Sequence, residues 1–159
     1  MENAIVRLMT RRKMTLALAE SCTGGFIANR ITDVPGASRM FCGGVVAYSN
    51  DVKEKFLEVR GETLERHGAV SEAVAREMAE GARRRFSADF AIAVTGIAGP
   101  GGGTRGKPVG TVFISLAGKS GTVVERRLNP FSRKKFKETT AKQALNLLMK
   151  QLNRTALCA

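Results

Sequence analysis

Three short apolar runs, each followed at once by polar or glycine-rich residues, constrain this chain more than any other feature. They are Lys13–Ala19, Gly43–Ser49 and Asp89–Thr95. Each has the length of a strand and is too short for a typical helix. The second is continuously apolar, as expected of a strand buried on both faces. Stretches with helical spacing lie before and between them. In 2–12, Ile5, Leu8 and Met9 share one side; 24–32, 51–57 and Gly61–Arg66 are further short helices. Ser71 is a predicted N-cap for a helix to Phe86, in which Val74, Met78, Ala82 and Phe86 recur at four-residue steps. Glu72 in its first turn and Arg83, Arg84 and Arg85 in its last match the helix dipole. Val109–Gly118 and Thr122–Leu128, joined by Lys119-Ser120-Gly121, predict an antiparallel hairpin. A long helix from Ser132 to Leu152, with Phe136, Thr140, Ala144, Leu148 and Leu152 as its inner stripe, closes the chain.

Helices alternating with strands predict an α/β fold, in which a mixed, mostly parallel sheet of about five strands is covered on both faces. No repeat or linker breaks the chain, so residues 1–159 form a single predicted domain. In such sheets ligands sit beyond the carboxyl ends of the strands. Three strand ends here carry polar or glycine-rich segments: Glu20-Ser21-Cys22-Thr23-Gly24-Gly25, Tyr48-Ser49-Asn50, and Thr95 through Gly103. Their common position predicts one composite site.

The formal net charge of +12 favours an anionic partner: nucleic acid, a membrane surface or a phosphorylated small molecule. The basic runs 11–13, 83–85, 126–127 and 133–135 are scattered and have little aromatic interleaving, which argues against a nucleic-acid platform. Arg133 and Lys137 differ, standing one turn apart at the start of the last helix, where both can meet a phosphate. No apolar run is long enough for a membrane span. Cys22, Cys42 and Cys158 form neither a metal-ligand spacing nor an even disulfide framework. With no signal peptide, a reducing cytoplasm is expected, and no metal or cofactor.

The single histidine, His67, falls in Leu-Glu-Arg-His-Gly-Ala, before a helix cap and away from every strand end. It reads as a surface residue, so a Lys or a carboxylate must activate any nucleophile. Ser21 and Thr23 occupy a strand-to-helix turn. There the Gly24 and Gly25 amides and the helix N-terminus favour developing negative charge. Lys53 is a candidate base, provided that desolvation or nearby positive charge lowers its pKa. The plainer interpretation of Ser21 and Thr23 is helix capping, and that of Cys22 is a small buried residue turned away from its neighbours. Glu20 is either a general base, a residue that orients a basic group, or a solvent-facing carboxylate. The loop Thr95–Thr104, including Gly96, Gly99, Gly101 and Gly102, offers backbone amides as an anion nest; otherwise it is a connector.

The segments Ala19–Gly25, Pro35–Ser38, Gly43–Val46 with Tyr48-Ser49-Asn50 and Lys53, Gly68–Ser71, and Thr95–Gly103 with Lys107–Gly110 resemble, in order, the CinA C-terminal domain family. They cover about residues 5–150. The resemblance implies a three-layer α/β/α fold and hydrolysis of the carboxamide of nicotinamide mononucleotide to nicotinate mononucleotide and ammonia. It implies a metal-free Ser–Lys arrangement at Ser21 and Lys53, with Thr23, Tyr48 and Asn50 as accompanying positions. It also implies the stand-alone form, without the N-terminal domain of larger members. A homo-oligomer is expected, with a small phosphorylated pyridine nucleotide as partner. One segment departs: where many members have Gly-Asp-Arg and an Arg four residues on, this chain has Phe131-Ser132-Arg133 followed by Lys137, so phosphate binding is expected to survive with substrate affinity and preference changed. Two rival functions are a nucleotide-binding module without turnover and a basic DNA-associated protein.

Overall fold

Large and small side chains alternate along the central strands, and the alternation gives the sheet two unlike faces. The computed structural model describes residues 1–155. Its five strands are β1 (Leu16–Glu20), β2 (Phe41–Val46), β3 (Phe90–Gly96), β4 (Thr111–Gly118) and β5 (Gly121–Leu128), in the order β2-β1-β3-β4-β5. β1 pairs in parallel with β2 and β3, whereas β3–β4 and β4–β5 are antiparallel. Only β4 is reversed in direction, so the sheet is mostly parallel by strand direction, with its pairings evenly divided.

Six helices flank it: α1 (Glu2–Arg11), α2 (Phe26–Thr32), α3 (Asn50–Leu57), α4 (Gly61–His67), α5 (Glu72–Arg85) and α6 (Arg133–Thr155), with a 3-10 turn at Ala37–Arg39. On one face α1, α2 and α6 pack on Leu16, Leu18, Ile92, Val94, Ile114 and Leu116. On the other, α3, α4 and α5 pack on Ala17, Ala19, Ala91, Ala93 and Ala117. This is the three-layer sandwich. The predicted stripe of α6 is fully buried at Phe136, Thr140, Ala144, Leu148 and Leu152. Burial of a large aliphatic side chain contributes about 1.5–3 kcal/mol, so the first face supplies most of the hydrophobic stabilisation.

The alanine face gains closeness instead. A Cβ on Gly81 of α5 would lie 1.8 Å from the carbonyl oxygen of Leu57, at the end of α3. Only glycine permits that approach, and it holds α3 against α5. Ser71 caps α5 as expected, accepting from the Val74 amide at 3.3 Å.

One expectation fails. β2 is not buried on both faces: Cys42, Gly44 and Val46 are exposed and the alternate residues half-buried. β2 is an edge strand, with a neighbour on one side only. Cys158 lies outside the described residues.

Candidate functional site

The parity of β1 sorts its terminal side chains. Leu16 and Leu18 face the large-residue core and Ala17 and Ala19 the opposite one. Glu20 follows the leucines and is buried under α2, where its carboxylate accepts the Ile27 amide at 3.0 Å and the Ala28 amide at 2.8 Å. Ser21, one residue on, emerges on the alanine side, with its amide donating to the Val94 carbonyl at 3.0 Å. The chain then reverses through Gly24 (φ 61°) and Gly25 (φ 90°). Two successive left-handed residues are why this turn requires its glycine pair.

Ser49 caps α3, accepting from the Val52 amide at 3.3 Å. The cap fixes the first turn of α3, which carries Asn50 and Lys53. Lys53 is 1% exposed. Its Nζ donates to the Ala47 carbonyl at 2.9 Å and the Ser49 carbonyl at 3.4 Å. The described residues give it no carboxylate partner. Burial pulls its pKa down from the ordinary 10.5, with the neighbouring Cys22 opposing weakly. An ammonium held by neutral carbonyls inside the fold is closer to giving up its proton than an exposed lysine.

Ser21, Tyr48, Asn50, Lys53, Thr95, Gly96 and Arg133 meet in one pocket of about 250 Å³. Seven of the predicted positions therefore converge. Thr95 is itself anchored, donating from Oγ1 to the Ala69 carbonyl at 2.8 Å. Arg133 spans the mouth, donating to the Gly99 carbonyl at 2.9 Å and to the exposed Tyr48 hydroxyl at 2.6 Å. A groove of about 410 Å³, lined by Phe26, Arg133, Lys134 and Lys137, adjoins the pocket through Arg133. Lys137 lies in this groove, 5.7 Å above the Phe26 ring centroid, and its Nζ would stand 3.9 Å from a Cβ on Gly24.

Other predicted positions are placed differently. Glu20 is neither solvent-facing nor in the pocket; both its oxygens are engaged at the start of α2. The Thr23 hydroxyl is fully buried, has no hydrogen-bond partner and does not reach the pocket. The Gly24 amide donates to the Ser21 carbonyl at 3.1 Å and the Phe26 amide to the Thr23 carbonyl at 3.3 Å. With Glu20 on Ile27 and Ala28, the start of α2 is spent within the protein rather than offered to an anion. Gly25 packs towards Val46. Gly99 is buried and meets the site through its carbonyl, while Gly101 and Gly102 lie exposed outside the pocket. The loop's structure rests on the Ile97 amide bonded to the Thr111 carbonyl and the Gly110 amide bonded to the Ile97 carbonyl.

Cys22 is buried as expected, yet it forms part of the pocket wall rather than turning away. Burial, helped by the charge of Glu20, pushes its thiol up to about 12. A thiol in that range is a poor nucleophile at neutral pH. Ala69, Val70 and Ala98 also line the pocket; they fall in the segments Gly68–Ser71 and Thr95–Gly103, where their small apolar side chains give no chemistry by which to single them out. His67 is exposed on α4, and its carbonyl accepts from Lys107 Nζ at 2.7 Å. No helix of the described residues is long and apolar enough to cross a membrane.

The profile of the CinA C-terminal domain matches residues 1–152. A relative from Desulforudis audaxviator, named a competence-damage inducible protein, is 50% identical over 155 residues, covering 98% of this chain and 38% of the relative. A CinA-like protein of Pseudothermotoga lettingae is 44% identical over 153 residues, 96% of this chain and 38% of that protein. The chain thus spans less than two-fifths of these relatives. Among solved structures, the competence/damage inducible protein CihA of Agrobacterium tumefaciens superposes with a TM-score of 0.92 at 41% identity. That match covers 96% of this chain and 93% of CihA.

Proposed function

Since the chain belongs to the CinA C-terminal domain family, we propose that it hydrolyses the carboxamide of nicotinamide mononucleotide, with Ser21 as nucleophile and Lys53 as general base. The observation that carries this proposal is the buried Lys53 amine, without a carboxylate partner, in the same pocket wall as Ser21. A serine hydroxyl needs an activating base to attack at neutral pH. His67 is outside the pocket and Glu20 is committed to α2, which leaves the lysine.

In this mechanism the neutral Lys53 amine takes the Ser21 proton as Oγ attacks the amide carbon. Collapse of the tetrahedral intermediate passes that proton to the departing nitrogen, and ammonia leaves. Water then attacks the nicotinoyl ester of Ser21, gives a proton back to serine, and releases nicotinate mononucleotide. Of the backbone amides expected to hold the oxyanion, that of Gly24 is spent on the turn, donating to the Ser21 carbonyl. The pocket of about 250 Å³ suits the pyridine ring and part of the ribose, and the cationic groove beyond Arg133 suits the phosphate. Lys137 supplies a point charge where the resemblance implies a second Arg.

Ammonia release from nicotinamide mononucleotide tests the proposal. Wild type is expected to turn over, and Ser21→Ala and Lys53→Ala to lose at least roughly 1,000-fold in kcat, as when a nucleophile or its base is removed. Wild-type turnover by Ser21→Ala would remove the nucleophile assignment. A nucleotide-induced rise in Tm without ammonia would indicate a binding module instead.

A further inference from the structure

We infer that Glu20, which touches neither the pocket nor any substrate placed in it, is a positioning residue that sets the relative placement of Ser21 and Lys53. The inference rests on the proposed roles of those two residues and adds a third to them.

Glu20 is 2% exposed and joins three elements at the end of β1. Its two carboxylate oxygens hold the first-turn amides of α2 at 3.0 and 2.8 Å, so both limbs of the intervening turn 21–25 are tied at its base. Its backbone carbonyl accepts the Ala47 amide at 2.8 Å. Ala47 in turn accepts Lys53 Nζ at 2.9 Å through its own carbonyl. One residue therefore connects the turn that carries Ser21 to Ala47, the residue whose carbonyl holds the Lys53 amine. The carboxylate is suited to this because it only accepts hydrogen bonds, and both groups it faces are donors. Among the described residues it has no salt partner, so the role inferred for it is not that of an ion pair.

Glu20→Gln keeps the shape and replaces one acceptor oxygen with an NH2 group facing an amide N–H. Two donors then oppose each other inside the fold, α2 moves off the end of β1, and the 21–25 turn loosens. A displacement of about 1 Å at a reacting group reduces turnover by about 100-fold. The expected result for Glu20→Gln is therefore a kcat for nicotinamide mononucleotide about 100-fold lower, with KM within about threefold of wild type. A residue that merely supports the fold would lower Tm and the fraction folded, leaving kcat per folded molecule unchanged well below Tm. That outcome overturns the inference.

A second arm separates the inference from the proposed substrate. The rate at which a fluorophosphonate phosphonylates Ser21, with loss of fluoride, is followed by intact-protein mass and needs no nucleotide. Labelled wild type that does not hydrolyse the nucleotide would remove the substrate assignment alone, and slowed labelling in Glu20→Gln would still support positioning. Equal labelling rates in wild type and Glu20→Gln would overturn it. If Glu20→Gln does not fold, Ala28→Pro deletes the same bond from the helix side, at a first-turn position where proline is tolerated. It is expected to reduce kcat in the same direction, and unchanged kcat overturns the inference equally.

Discussion

The two faces of the sheet are made from the same strands and do different work. Along β1 and β3, Leu16, Leu18, Ile92 and Val94 point to α1, α2 and α6, while Ala17, Ala19, Ala91 and Ala93 point to α3, α4 and α5. The first face is thick and interlocked. The second is thin, so helix backbones come close to the sheet and to each other. The proposed reacting groups, Ser21 and Lys53, lie on the thin side, and the residue that anchors their turn, Glu20, lies on the thick side. The difference teaches that bulk packing and chemistry are segregated by strand parity in this molecule.

The largest effect expected from breaking the thin side is Gly81→Ala. A Cβ 1.8 Å from the Leu57 carbonyl forces α3 away from α5. The cost is on the order of 4 kcal/mol or more, read as a fall in the urea midpoint, and activity is expected to fall with it because Lys53 rides on α3. An unchanged midpoint would mean that the two helices are free to separate. On the thick side, Ile92→Ala opens a cavity and is expected to cost about 2–5 kcal/mol, with kcat preserved in the folded protein. Loss of kcat in step with Gly81→Ala would abolish the proposed segregation.

Lys53→Met sharpens the comparison in the opposite direction. The folded protein holds this amine below its ordinary pKa of 10.5 because burial disfavours the charge. Between the depressed folded value and 10.5 the unfolded chain binds more protons, so this group makes stability rise with pH through that window. Below the window its full penalty applies, about 1.4 kcal/mol for each pKa unit of depression. Lys53→Met is expected to abolish turnover, raise Tm at neutral pH and flatten that alkaline rise. A lower Tm would show that the amine stabilises the fold. The smallest effect is expected at Thr23, whose buried hydroxyl has no partner. Thr23→Val removes an unsatisfied group and is expected to raise stability by about 1 kcal/mol, measured by thermal unfolding.

Much of the fold was legible because its signals are local. Periodicity placed the α6 stripe from Phe136 to Leu152, and the strand ends located Ser21, Tyr48, Asn50 and Thr95 around one pocket, which Lys53 of α3 and Arg133 of α6 complete. What was not legible depends on strand order and on distant neighbours. Gly43–Ser49 reads as a buried strand, and only the sheet order reveals β2 as an edge. Glu20 reads as a site carboxylate, although the Leu16–Leu18–Glu20 parity already pointed it at the large-residue core. Its partners are amides seven and eight residues on, in a helix whose docking the local pattern does not encode. Gly101 and Gly102 carry the composition of an anion nest, but the loop's anchors at Ile97 and Gly110 leave them outside the pocket.

The alanine face has one more consequence. Alanine has no side-chain rotamers to freeze on folding, and it removes little apolar area from water. The heat-capacity change of unfolding follows that area, so the leucine and isoleucine face dominates the curvature of stability with temperature. Hydrophobic attachment weakens on cooling, and it weakens most where such area is greatest. The molecule's limit in the cold is therefore set on the side facing α1 and α6, and the wall that carries Lys53 is the part least sensitive to it.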